Sequence, residues 1–86
     1  MQEQEFEQLN YYDLLGITPD ASEKEIKRAY HQQVSRYHPD RFVGASESEQ
    51  EYVRQRTQRI NEAYRVLSDP KSRLAYNHGP AMVAAR

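Results

Sequence analysis

The sequence predicts an all-α fold, an antiparallel hairpin of two long helices braced by two short ones. Three observations lead there. Ser22-x-x-Glu25 and Ser46-x-x-Glu49 both have capping-box spacing, in which a hydroxyl and a carboxylate satisfy each other's helix-end amides. Each box is followed by apolar residues recurring every three or four positions, and no segment shows the sustained period-two alternation of a strand.

The elements follow in order. Residues 1–8 are Gln/Glu-rich and patternless, a disordered lead-in. From Leu9 the chain takes on order. Asn10 caps a short helix over Tyr11–Leu15, and Gly16 supplies the left-handed stop. Ile17–Ala21 reads as a loop turned by Pro19-Asp20. The second helix starts at Ser22 and carries the stripe Ile26, Ala29, Tyr30, Val34, Tyr37; Pro39 ends it, because the residue before a proline, His38, is pushed out of helical conformation. Residues 40–46 form a loop with Gly44 as slack. The third helix runs from the second capping box to about Leu67, with Tyr52, Val53, Ile60, Ala63, Tyr64 and Leu67 on one face. Asp69-Pro70 starts a last short helix with Leu74, Ala75 and Tyr76, which stops near Asn77–Gly79. The domain thus spans 9–77, and 78–86 read as a flexible tail or the start of a linker. A short loop between two long amphipathic helices forces them antiparallel, since only then do both stripes bury each other.

Composition narrows the function classes. Eighty-six residues hold one domain, and with 37% hydrophobic residues, 29% charged residues and a mean hydropathy of −1.06 the core must be thin. The absence of cysteine removes disulfides, thiolate metal sites and catalytic thiols. No apolar run is long enough for a membrane span and the N-terminus lacks the pattern of a signal peptide, so the chain is read as cytoplasmic. The net charge of −1 conceals segregation: residues 1–23 sum to −6 and residues 24–41 to +3. A local basic face of this kind suits steering toward an acidic patch on a protein partner.

The chemistry concentrates where the second helix ends, in His38-Pro39-Asp40-Arg41. Proline stiffens the loop, so His38 and Asp40 are held outward with little entropy left to lose on binding. The imidazole can donate a hydrogen bond, and the carboxylate can accept bidentately from an arginine. Taken alone, such a tripeptide is also a common turn signal.

Its surroundings carry more. The run YYDLLGITPDASEKEIKRAY, then RYHPDR, then INEAYRVLSDPKSRLAY closely resembles the J domain of DnaJ-type co-chaperones, over most of the chain. The resemblance implies a four-helix unit whose second and third helices form the hairpin, reached above from caps and periods. It also implies a partner, an ATP-bound DnaK-type chaperone whose hydrolysis the domain accelerates while hydrolysing nothing itself. Carried over by position, His38, Pro39 and Asp40 would be the stimulating residues. Lys24, Lys27, Arg28 and His31, with Arg36 and Arg41, would form the docking face.

Departures from that pattern are local. Gln32 stands where a second base often follows, and Gln33 where a leucine usually packs, which suggests a looser core with Val34 taking more of the packing, or an altered register near the tip. The stretch from Phe42 to Asn61 is longer than in DnaJ by about five residues, more than one helical turn, and Thr57 replaces an aromatic. Similar spacing occurs in bacterial iron–sulfur assembly co-chaperones and some membrane-anchored J-proteins. The Gly16–Ala21 linker is of ordinary length, and neither a Gly/Phe-rich linker nor a cysteine-rich module is present, so the expectation is a monomeric J domain, compatible with the N-terminal piece of a longer protein.

Other readings are weaker. No two of His31, His38 and His78 sit three or four apart, so neither metal nor other cofactor is expected. A hairpin tip offers no enclosed pocket for acid–base catalysis. A nucleic-acid reader built on the basic helix conflicts with a pI near 6.3 and the acidic residues 1–23. A scaffold that keeps the fold without the activity is opposed by the intact tripeptide and left open by Gln32.

Overall fold

The computed structural model describes residues 9–79; the lead-in expected at 1–8 and all but the first two residues of the tail expected at 78–86 lie outside them. The described residues form four α-helices and no strand: α1 (Tyr11–Leu15), α2 (Glu23–Arg36), α3 (Glu47–Leu67) and α4 (Pro70–Asn77). The expected all-α architecture is present, with one addition. The stretch read as a plain loop begins with a 3-10 turn over Pro39–Phe42.

Caps set the boundaries. In the first box Ser22 N–H donates to Glu25 Oε1 at 2.7 Å while Glu25 N–H donates to Ser22 Oγ at 3.1 Å; the second box repeats this between Ser46 and Glu49 at 3.2 Å in both directions. Asn10 Oδ1 accepts from Asp13 N–H at 2.8 Å, and Asp69 Oδ2 accepts from Ser72 N–H at 3.0 Å. Gly16 adopts φ 75°, a left-handed stop that a Cβ would strain. α2 stops at Arg36 because His38, ahead of Pro39, is extended at ψ 135°.

Contacts across the hairpin show its direction. Tyr37 at the end of α2 meets Thr57, and Tyr30, two turns earlier, meets Asn61 and Tyr64, so the helices run antiparallel. The core consists of Tyr12, Leu14, Leu15, Ala21, Ile26, Ala29, Ile60, Ala63 and Leu67. α1 and α4 pack on α3, so that helix is the common wall of the fold.

The INEAY run shows how tightly that wall is specified. Ile60 and Ala63 are fully buried. Between them, Asn61 Oδ1 accepts from the Tyr30 hydroxyl at 2.8 Å, and Glu62 accepts from the Tyr11 hydroxyl and from Arg59. Tyr64 stacks on Tyr30 with centroids 4.1 Å apart. At the other end of the sequence, Leu74 and Ala75 face outward while Tyr76 turns in, stacks on Tyr11 at 4.6 Å and accepts the Tyr11 backbone N–H at 2.9 Å. Gln33 is half-buried with its Oε1 unbonded, and Val34 packs beside the core.

Candidate functional site

The tip of the hairpin is built from short-range polar contacts. His38 is the N-cap of the 3-10 turn: its Nδ1 accepts from Asp40 N–H at 3.2 Å, and its carbonyl accepts from Arg41 N–H at 3.0 Å. With Nδ1 accepting, the neutral form of the imidazole carries its proton on Nε2 and can donate from there. Pro39 occupies the first position of the turn, where its fixed φ is an advantage and its missing N–H costs nothing. The Asp40 side chain is 89% exposed and its Oδ2 lies 3.8 Å from His38 Nδ1, so the carboxylate is open to an incoming donor. The structure therefore presents a rigidified imidazole donor and a free carboxylate side by side on an exposed turn.

The tip is anchored on both sides. At its root the Thr57 hydroxyl donates to the Tyr37 carbonyl at 3.2 Å, so the position noted for lacking an aromatic instead ties α3 to the end of α2. Beyond the turn, Gln50 Nε2 donates to the carbonyls of Phe42, Val43 and Ala45 at 3.0, 3.1 and 3.2 Å. Sequence reading missed Gln50, because a contact spanning up to eight residues leaves no periodic mark.

The expected docking cations are all exposed. Lys24, Arg28 and His31 follow one another at spacings of four and three along α2, on one row of its surface. Arg28, His31, Arg36 and Arg41 line a single shallow concavity, with Arg41 contributed from the 3-10 turn, whereas Lys24 and Lys27 lie outside it. None of Lys24, Lys27, Arg28, Arg36 and Arg41 is in a salt bridge among the described residues, while Arg54 pairs with Glu51 and Arg59 with Glu62 on α3. Five cations without an ion pair therefore lie on α2 and the turn that follows it, and others, Arg65 and Lys71, lie on α3 and α4. Among the described residues no helix is long and apolar enough to cross a membrane, and no group of three or more His, Asp or Glu is placed to hold a metal.

The sequence is similar to those of known proteins. The family model described as DnaJ domain matches residues 10–77. The chain is similar to "Adaptation to cold protein J" of Shewanella oneidensis, 47% identical over 68 residues that cover 79% of this chain and 72% of that protein. It is similar also to chaperone protein DnaJ of Fusobacterium nucleatum, 43% identical over 68 residues, and of Salinibacter ruber, 47% identical over 68 residues. In both, the match covers 79% of this chain but only 17% and 16% of the relative, so the chain spans a small fraction of the DnaJ proteins it resembles.

Proposed function

The chain belongs to the DnaJ domain family, and on that premise we propose that residues 9–77 form a co-chaperone module that docks on a DnaK-type chaperone and stimulates its ATP hydrolysis through His38, Pro39 and Asp40. The observation that carries this reading is the capped, exposed turn holding those residues next to a row of unpaired cations. In the proposed encounter, Lys24, Lys27, Arg28, His31, Arg36 and Arg41 meet an acidic surface of the partner, and Asp40 accepts from a partner arginine. The domain supplies no reacting group; it biases a conformational step in the ATPase. Residues 78–86 would serve as a tail or linker.

The magnitudes fit a transient complex. Exposed ion pairs contribute about 0.2–1 kcal/mol each, so several of them and one rigid tip give a weak, salt-sensitive association. Weak binding suits a module that must leave after each cycle.

The test is single-turnover ATP hydrolysis by a DnaK-type chaperone, with wild type and His38→Gln compared at low and moderate salt. Stimulation by wild type that disappears in the variant supports the reading. Equal, negligible rates from folded proteins count against it, and binding without stimulation would indicate a scaffold. Charge reversal at Lys27 and Arg28 should raise the concentration needed for half-maximal stimulation without changing helicity; an unchanged concentration dependence would remove α2 from the docking face.

A further inference from the structure

Past the tip tripeptide Phe42 and Ala45 are half-buried, but Val43 and Gly44 between them are exposed and have little packing to hold them. Val43 is 75% exposed, and nothing lies within 4 Å of where a Gly44 side chain would be. A glycine-containing segment in this situation samples many conformations unless something else restrains it. Besides the partial burial of Phe42 and Ala45 and a single turn bond, Ala45 N–H to the Phe42 carbonyl at 3.0 Å, the side chain that ties this segment down is Gln50. Its side-chain amide has two N–H groups, yet three carbonyls converge on its nitrogen, those of Phe42, Val43 and Ala45. With two hydrogens and three acceptors the amide shares its donors, so one exposed side chain gathers three successive parts of the backbone path. Gln50 itself sits in the first turn of α3, which the Ser46–Glu49 box holds in place and which leads directly to buried Val53.

The first of the clamped residues, Phe42, is also the last residue of the 3-10 turn that carries Pro39, Asp40 and Arg41. What fixes Phe42 therefore fixes the downstream end of that turn, as His38 and Thr57 fix its upstream end. We propose that Gln50 is a positioning residue for the tip: by gathering the Phe42, Val43 and Ala45 carbonyls it holds Asp40 and Arg41 in the orientation that acts on the chaperone. This rests on the functional reading above and deepens it. Without the clamp, part of the ordering that the fold supplies in advance would have to be met after the α2 cations have docked, in the step in which the tip stimulates hydrolysis.

Three substitutions test this. Gln50→Leu keeps the size and removes the donor; Gln50→Glu suits the first turn of a helix but turns a carboxylate toward three carbonyls; Gln50→Lys returns a donor that can satisfy several acceptors. Backbone 15N relaxation at residues 41–45 reads the order of the loop. Single-turnover hydrolysis over a range of domain concentrations separates the maximal stimulated rate from the half-saturating concentration. For Gln50→Leu and Gln50→Glu we expect unchanged melting temperatures, lower order at 42–45, a maximal rate reduced by about fivefold to tenfold and a half-saturating concentration changed by less than about twofold, since the cations on α2 are untouched. Gln50→Lys should restore both order and rate.

Retained loop order in Gln50→Leu overturns the proposal, and so does lost order at a full maximal rate. A lost rate with full loop order also overturns it, because Gln50 would then be touching the chaperone itself. A wild-type domain that fails to stimulate brings down the functional reading instead, while the relaxation data still decide whether Gln50 orders the tip.

Discussion

The two ends of the hairpin are held together by different physics. At the base, where α1 and α4 lie on α3, Tyr12 is buried, its hydroxyl donating to Asn77 at 2.6 Å and accepting from Arg73 at 3.1 Å. Arg73 also reaches the carbonyls of Pro19 and Ala21, so one guanidinium staples α4 to α1 and to the loop ahead of α2. At the tip, His38, Pro39 and Asp40 are all exposed, and order comes from hydrogen bonds made by His38, Thr57 and Gln50. The base derives its stability from burial; the tip derives only its shape from local polar contacts. Stability and the proposed activity should therefore be separable by mutation.

The strongest attempt to break that separation is a pair of truncations. Ile60→Ala removes a side chain with no exposure from the shared wall and should cost about 2–5 kcal/mol, a large part of what a domain this small possesses. Asp40→Ala should stay within about 0.5 kcal/mol of wild type by denaturant titration, since its side chain is almost fully exposed. A destabilisation by Asp40→Ala comparable to that of Ile60→Ala would erase the distinction. A finer version uses arginines. Arg73→Lys keeps the charge but loses the fork that reaches Tyr12, Pro19 and Ala21 together, and should cost about 1–3 kcal/mol. Arg41→Lys should leave the melting temperature unchanged. Smaller still, Tyr30→Phe loses the bond to Asn61 but keeps the stack on Tyr64, for about 0.5–1.5 kcal/mol in the same titration.

The same contrast explains what could be read from the sequence. Caps were legible because they act locally: both Ser-x-x-Glu boxes appear where spacing put them, and Asn10 and Asp69 cap the helices that their residue types announced. The long stripes were legible because α2 and α3 supply several periods each. α4 has eight residues and no repeat to define a face, so Leu74 and Ala75 could not be told from Tyr76 in advance. The tripeptide announced itself by its setting, but the 3-10 turn did not, being too short to carry a period. Arg73 and Gln50 were invisible for a related reason. Each acts by reaching backbone carbonyls, which every residue possesses, so no sequence pattern marks the acceptors.

Alkaline pH tests two phenols of the base and should give the smallest effect. The Tyr11 hydroxyl has its pKa pushed above the ordinary 10.0, first by burial and then by its bond to Glu62, with Arg59 opposing. Tyr76 is raised as well, again chiefly by burial, while the backbone bond from Tyr11 pulls the other way. A raised value means the fold favours the neutral phenol, so the unfolded chain releases its proton first as pH climbs. The associated stability is fully present below the ordinary tyrosine value and is lost as pH rises through it toward the folded value. Melting temperatures measured from about pH 8 to about pH 11 should therefore fall more steeply for wild type than for the double variant Tyr11→Phe, Tyr76→Phe, even though that variant starts lower for want of its hydroxyl bonds. Parallel slopes would show that neither phenol is coupled to folding, and would reduce the base to apolar packing and the Arg73 staple. A flatter slope in the double variant would locate a titrating contribution to stability in the layer of α1 and α4 on α3, and not at His38, Pro39 and Asp40.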